Sequence, residues 1–331
     1  MSLAPRNDPE LAAEFAKDAA DEELLATLNA ALASAEESSY RDLPESYPTL
    51  HVVGVPRSGT TLLYQVLAAG LEIGYVNHLV AAFWRAPVLG LRLSRKLGLD
   101  RYRPTFDSTF GRTQGVGEPH EFGYFWNHHL RYPGLYALPP GHEETIDWAR
   151  LRTVLVNMAW WNRGPLAFKP MLLVWHLERI VREMPRTCLI WIRRDLRAAA
   201  LSLLEMRRSL FGSVEAWASL RPHGPRWLAE APPWRQVAGQ VVELERTIAA
   251  AAAALGPERV LEVTYEELCA DPAAVCQRAA GLLRRHGYEP ARHELPVRCF
   301  EPRREGSLAH EYGTRVERAL EEFLSSPAIE G

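Results

Sequence analysis

The chain has 331 residues, 47% hydrophobic and 24% charged, the balance of a folded globular protein with room for one large α/β domain. A formal net charge of −3 and a pI of about 6.4 exclude the basic excess of a dedicated nucleic-acid binder. No apolar run reaches the roughly 18–20 residues that a membrane span needs. Cys188, Cys269, Cys276 and Cys299 form no C-x-x-C pair and are too few to staple a chain this long, so reduced, mostly buried thiols are expected. Asp8, Glu10 and Glu14 stand where a signal peptide would be basic and then apolar, which points to the cytoplasm. Lysine occurs only at 17, 96 and 169, and every other one of the 38 basic residues is arginine.

Leu11, Phe15, Leu24, Leu25, Leu28 and Leu32 are spaced for one or two amphipathic helices over 9–37. A polar connector with two prolines follows at 38–48. Residues 1–48 are therefore read as an N-terminal helical segment, and 49–331 as a single domain. The β-branched run 49–55 (TLHVVGV), the PRSGTT segment and the apolar stretch 62–71 read as strand, tight loop and helix. From 75 to 165 there are five tryptophans (84, 126, 148, 160 and 161) and no strand pattern, which predicts a helical insertion. A weak strand at 166–169 (LAFK) precedes a helix near 172–184 that stops before Pro185. The run 187–193 (TCLIWIR) is a strand leading into a helix at 196–209, and a further helix spans 236–255. A last strand, 259–265 (RVLEVTY), leads to a helix at 272–286, with Asp271 as cap, Pro272 in the first turn and Gly287 as stop. Alternating strands and helices predict an α/β fold, a P-loop-like parallel sheet with helices on both faces.

Gly54, Val55, Pro56, Arg57, Ser58, Gly59, Thr60 and Thr61 have the G-x-x-x-x-G-K-[ST] frame, with Thr60 in place of the lysine. The glycines permit a tight turn, and the amides of 57–61 can face an anion at the helix N-terminus. Without the lysine, the point charge for a β/γ-phosphate is gone. Arg57 can replace it from inside the loop, so a phosphate-like ligand other than the usual magnesium triphosphate is expected.

The segment 55–62 (VPRSGTTL) resembles the 5′-phosphosulfate loop of sulfotransferases that use 3′-phosphoadenosine 5′-phosphosulfate (PAPS). It is most similar to bacterial and tyrosylprotein-type members, which carry arginine where cytosolic members carry lysine. A second match, 189–202 (LIWIRRDLRAAALS), resembles the family's 3′-phosphate element, with Arg194 at a strand end and Ser202 eight residues on; Leu196 stands where the family has proline. Lys169, before Pro170, resembles the lysine that contacts the sulfuryl group or its bridging oxygen. Tyr265, in 263–268 (VTYEEL), matches a tyrosine near the nucleotide, and Arg303 and Ser307 loosely match a late loop that closes over PAPS. The resemblance runs from about 49 to 310 and is weakest across the insertion.

What the resemblance implies is in-line transfer of a sulfuryl group from PAPS to a hydroxyl or amine, with PAPS as co-substrate and no metal. Charge on the departing phosphate oxygen would be met by Arg57, Lys169 and the loop amides. A general base is needed near the acceptor proton. The segment 117–126 (GEPHEFGYFW) offers Glu118 and His120 first and Glu121 last, with His78 between them; tyrosylprotein-type members have a glutamate near the position of His78. The partner expected is a small-molecule acceptor of apolar or aromatic character, not nucleic acid, with no membrane span and with a homo-oligomer left open. Two alternatives stand beside this reading: a P-loop kinase-like phosphotransferase, and a nucleotide-binding module without catalysis.

Overall fold

The computed structural model describes residues 11–326 apart from 13–14, 103–104, 133–140, 223–227 and 229. Strand β1 (Thr49–Val53), apolar but for Thr49 and His51, is buried along its length. It lies at the centre of a parallel sheet completed by β2 (Gly74–Tyr75), β3 (Leu166–Phe168), β4 (Cys188–Arg193) and β5 (Val260–Thr264), in the order β2-β3-β1-β4-β5. In register, His51 lies beside Phe168 on one side and Leu189 on the other.

Alternate side chains of β1 enter two cores. Leu50 and Val52 pack with Leu63 and Leu67 of α2 (Thr60–Gly70) and with Val275 and Leu283, so α2 covers one face. Val53, Phe168, Leu189 and Trp191 face the larger core on the other side, which includes Trp126. The chain there supplies α3 (His78–Ala82), α4 (Pro87–Lys96), α5 (Gly123–Leu130), α6 (Trp148–Asn162), α7 (Leu177–Glu183), α8 (Leu196–Phe211) and α9 (Pro233–Leu255). The short α10 (Tyr265–Ala270), α11 (Pro272–Arg285) and α12 (Leu308–Ser325) follow β5, with α11 beside α2.

Local chemistry accounts for three differences from the expected boundaries. The N-terminal helix, α1 (Ala19–Ser39), starts only where Asp18 accepts hydrogen bonds from the amides of Ala20 and Asp21. Residue 12 instead donates its amide to the carbonyl of Leu210; residues 9, 10, 13 and 14 of the expected helix lie outside the described residues. Strand β2 opens the stretch read as strandless, because two paired residues carry no periodicity. Tyr265 belongs to α10 rather than to a strand, since Thr264 and Glu267 form a reciprocal capping box. Asp271, Pro272 and Gly287 act at α11 as expected, with Gly287 at φ 77°.

Helix α1 is fastened to the insertion. Asn29 donates to the carbonyl of Ala82 and accepts from the amide of Arg85, while the buried Glu36 carboxylate accepts from the amides of Val88 and Leu89 at the start of α4. Burial raises the Glu36 pKa, and those two amides oppose the rise.

Burial pushes His51, His120 and His129 down to about pKa 3. The unfolded chain takes up those protons near pH 6.5 and the native chain only near 3, so between these values the unfolded state binds more protons. The melting temperature is therefore expected to fall as the pH drops below about 6.5, before ordinary carboxylates titrate near 4. A flat melting temperature from pH 7 to 5, followed by scanning calorimetry, would contradict these native-state values.

Candidate active site

The chain leaves β1 through Gly54 and enters α2 through Gly59, and neither position has room for a side chain. A Cβ on Gly54 would lie 2.5 Å from Ser58 Oγ and 2.6 Å from the carbonyl of Ile192. Gly59 holds φ 102°, and its Cβ would lie 2.6 Å from the ring of Tyr265. Arg57, at φ 72°, is a non-glycine residue in the left-handed region, a conformation held only where the surroundings enforce it. The first amides of α2 have no preceding helical carbonyls and face outward at the positive end of the helix. Ser58 Oγ is fully buried and has no partner among the described residues.

Around this loop converge side chains from four distant segments. Arg57 Nε donates to Ser202 Oγ at 3.0 Å. Arg194, just past the end of β4, donates to the carbonyls of Arg57 (3.0 Å) and Arg303 (3.1 Å) and stacks 4.4 Å above the Tyr265 ring. The Tyr265 hydroxyl accepts from the amide of Arg303, whose guanidinium donates to the carbonyl of Ser108. Burial, and then the guanidiniums of Arg303 and Arg194, push the Arg57 pKa down to about 10. The loop thus gathers positive charge that an anion would relieve.

Leu196, where a proline was expected, does not disturb the turn after β4. Asp195 caps the helix by accepting from the amide of Ala198, and Leu196 fills the first helical position. Lys169, only 3% exposed at the end of β3, donates to Thr61 Oγ1 at 2.9 Å and pairs with Glu121. Between Gly54, Thr60, Lys169 and Val174 lies a cavity of about 10 Å³, near the size of a single water. Ser307 stands apart from the cluster, accepting from Arg208 and donating to Glu205 one turn farther along α8.

The four base candidates separate by environment. Both Glu118 oxygens are already engaged: Oε2 accepts from Tyr102 (2.8 Å) and Gln65 (3.2 Å), and Oε1 from Thr105 (3.1 Å). Glu118 is buried and braces the loop that follows α4. His120 Nδ1 accepts from the amide of Phe122, so the neutral ring carries its proton on Nε2. His78 has the same tautomer. Thr113 gives its proton to the carbonyl of Pro119 and must accept from His78 Nε2, which leaves His78 Nδ1 bare. The two rings meet edge to face at 4.6 Å, and burial lowers the His78 pKa. Glu121, the candidate placed last from the sequence, is the carboxylate that reaches the phosphate loop, through Lys169.

A loop with no sequence signal completes the site. Phe110 lies 5.4 Å from the Arg57 guanidinium, and Gln65 donates to the carbonyl of Asp107. Phe106 and Phe110 both hold positive φ, and Phe106 meets Phe300 edge to face. Only the Phe110-Gly111 dipeptide hints at such a turn in the sequence.

A parallel sheet whose central strand opens into a glycine loop at a helix N-terminus, ringed by arginines, defines an α/β protein of the phosphate-loop type. The chain belongs to the sulfotransferase family, whose model matches residues 48–284 and so spans every candidate site residue except Arg303 and Ser307. It is 23% identical over 256 residues to the omega-hydroxy-beta-dihydromenaquinone-9 sulfotransferases Stf3 of Mycobacterium bovis and Mycobacterium tuberculosis. The match covers 70% of this chain and 61% of theirs. The fold is similar to that of the sulfotransferase STF9 from Mycobacterium avium, with a TM-score of 0.53 at 16% identity over 98% of this chain and 88% of that one. Among the described residues, no helix is long and apolar enough to cross a membrane, no three His, Cys, Asp or Glu are placed to hold a metal, and the four cysteines are free.

Proposed function

We propose that the chain transfers a sulfuryl group from PAPS to a hydroxyl of an apolar small molecule, without metal, in the cytoplasm. The observation that carries this reading is the meeting of Arg57, Lys169, Arg194 and Arg303 at a phosphate loop that lacks its lysine. The donor set suits this nucleotide: guanidiniums, a buried unpartnered serine hydroxyl and helix amides all favour oxyanions. When bound, the donor supplies an activated sulfuryl group on a phosphate leaving group. The α2 amides and Arg57 would hold the 5′ end, and Arg194 with Ser202 the 3′-phosphate, while Tyr265 and Arg303 close the rim.

Lys169 is positioned to neutralise charge as it develops on the leaving oxygen. In this reading Glu121 takes the acceptor proton once Lys169 turns from it toward the donor. Glu118, with its oxygens committed, becomes a positioning residue. His120, which carries its proton on Nε2, is a donor, and His78 stands behind Glu121 with a bare Nδ1. Tyr124, half-buried three residues from Glu121 with its ring 4.9 Å from the buried Trp84, offers apolar surface to an acceptor. The name of the Stf3 relatives, an omega-hydroxy dihydromenaquinone sulfotransferase, supports an apolar alcohol as acceptor class.

Incubation with sulfur-labelled PAPS and a panel of apolar alcohols is expected to yield labelled product, whereas labelled ATP yields none; the reverse pattern would overturn the reading. Turnover is expected to persist in EDTA, because Arg57 and Lys169 supply the charge that magnesium supplies in kinases. Loss of turnover with chelator, restored by a divalent ion, would instead favour a phosphotransferase.

A further inference from the structure

Residues 105–113 reach both halves of the site. The Thr105 hydroxyl donates to Glu118, the carbonyls of Asp107 and Ser108 accept from Gln65 and Arg303, and Thr113 bonds His78. Between these anchors Thr109 and Arg112 exchange both backbone hydrogen bonds at 2.9 Å, closing a tight turn with Phe110 and Gly111 at its tip. Both tip residues lie in the left-handed region, Phe110 at φ 51° and Gly111 at φ 85°. A two-residue turn of this hand favours Asn, Asp or Gly at its first position. Phenylalanine gains nothing there locally, so its conformation is enforced by what the ring meets outside the turn.

What it meets is the phosphate loop. The Arg57 guanidinium lies 5.4 Å from the Phe110 ring, which is half-buried against the larger core. The Gly111 carbonyl accepts from Thr61 Oγ1 at 3.4 Å, and the same hydroxyl accepts from Lys169 at 2.9 Å. A Cβ on Gly111 would stand 3.4 Å from Thr61 Oγ1 and 3.7 Å from Arg57 Nη1. The tip therefore rests on the groups that, in the reading above, hold the sulfuryl group and neutralise its leaving oxygen. We infer that Phe110 covers the sulfuryl group against water and so decides that the group passes to the acceptor. This rests on the sulfuryl-transfer reading. Water competes with any acceptor hydroxyl: its oxygen would form the new bond to sulfur, the bridging bond to the 5′-phosphate would break, and sulfate, nucleotide and a proton would leave. Arg57, Thr61, Lys169 and Glu121 are polar and would hold water beside that bond. An apolar ring set among them removes the competitor from the site before transfer.

Phe110→Asn removes the ring and supplies a residue that this turn favours, so the fold and the melting temperature are expected to hold. Phe110→Ala removes the ring without that local gain. With sulfur-labelled PAPS and no acceptor, both variants are expected to release sulfate roughly tenfold faster than wild type, with affinity for 3′-phosphoadenosine 5′-phosphate changed by less than about twofold. Phe110→Leu, which keeps an apolar side chain, is expected to stay near wild type. A readout that needs no donor is modification of Arg57 by phenylglyoxal, located by peptide mass spectrometry, which is expected to quicken severalfold when the ring is gone. Sulfate release unchanged in both ringless variants overturns the proposal. So does a release that rises only in step with lost nucleotide affinity, which would make Phe110 a packing residue. Unchanged labelling of Arg57 overturns it as well, because the ring would then cover nothing. A wild-type chain that does not bind 3′-phosphoadenosine 5′-phosphate sinks the sulfuryl-transfer reading instead, and the Arg57 labelling still decides whether Phe110 covers the loop.

Discussion

Arg194→Ala is expected to weaken binding of 3′-phosphoadenosine 5′-phosphate roughly ten- to a hundredfold and to leave AMP affinity nearly unchanged. A hydrogen bond to a charged group contributes about 1.5–3 kcal/mol, and each 1.4 kcal/mol is a factor of ten. Arg194 also ties the carbonyls of Arg57 and Arg303, so its removal could loosen the loop as a whole. AMP is the control for that effect, because a collapsed loop would lose both ligands in parallel. Arg194→Lys retains the charge without the planar fork and is expected to fall between wild type and alanine. Calorimetry reads all three. Equal affinity of the wild-type chain for the two nucleotides would remove the 3′-phosphate role from Arg194 and Ser202 and, with it, the distinction from an ordinary nucleotide site.

The parts of this protein that were legible in the sequence are those governed by local rules. The phosphate loop announces itself through two glycines and an arginine, and β1, β4 and β5 through short β-branched or apolar runs. The start and stop of α11 follow from Asp271, Pro272 and Gly287. What stayed hidden depends on contacts between distant residues. Glu118 and Glu121 are three residues apart and chemically alike, and their separation is set by partners the local sequence does not reveal. Tyr102, Thr105 and Gln65 claim the first, and Lys169 from β3 claims the second. The histidine tautomers likewise depend on Thr113 and on the amide of Phe122. Strand β2 has two residues and owes its existence to pairing with β3. Helix α1 reads as a separate segment until Asn29 and Glu36 are seen to anchor it on the insertion.

Glu121→Gln is expected to lower kcat by about 10²–10⁴ with little change in nucleotide affinity, the ordinary range for loss of a general base. The amide keeps the size of the side chain and an oxygen for Lys169, so the buried ammonium is not left without a partner. Glu118→Gln has a different expected signature. It weakens three hydrogen bonds from Tyr102, Thr105 and Gln65, so its cost appears in stability and acceptor KM, and kcat changes little. His78→Gln distinguishes the remaining candidate. Near-wild-type kcat in Glu121→Gln together with a large loss in His78→Gln would move the base to His78 Nδ1. A readout of proton transfer itself comes from the acceptor. A phenol bearing electron-withdrawing groups is already largely ionised at neutral pH and needs no base, so the Glu121→Gln deficit is expected to shrink toward unity with such an acceptor. A deficit that stays constant across acceptors of falling pKa would mean that Glu121 acts by orienting Lys169, and the carboxylate would then be a positioning residue rather than a base.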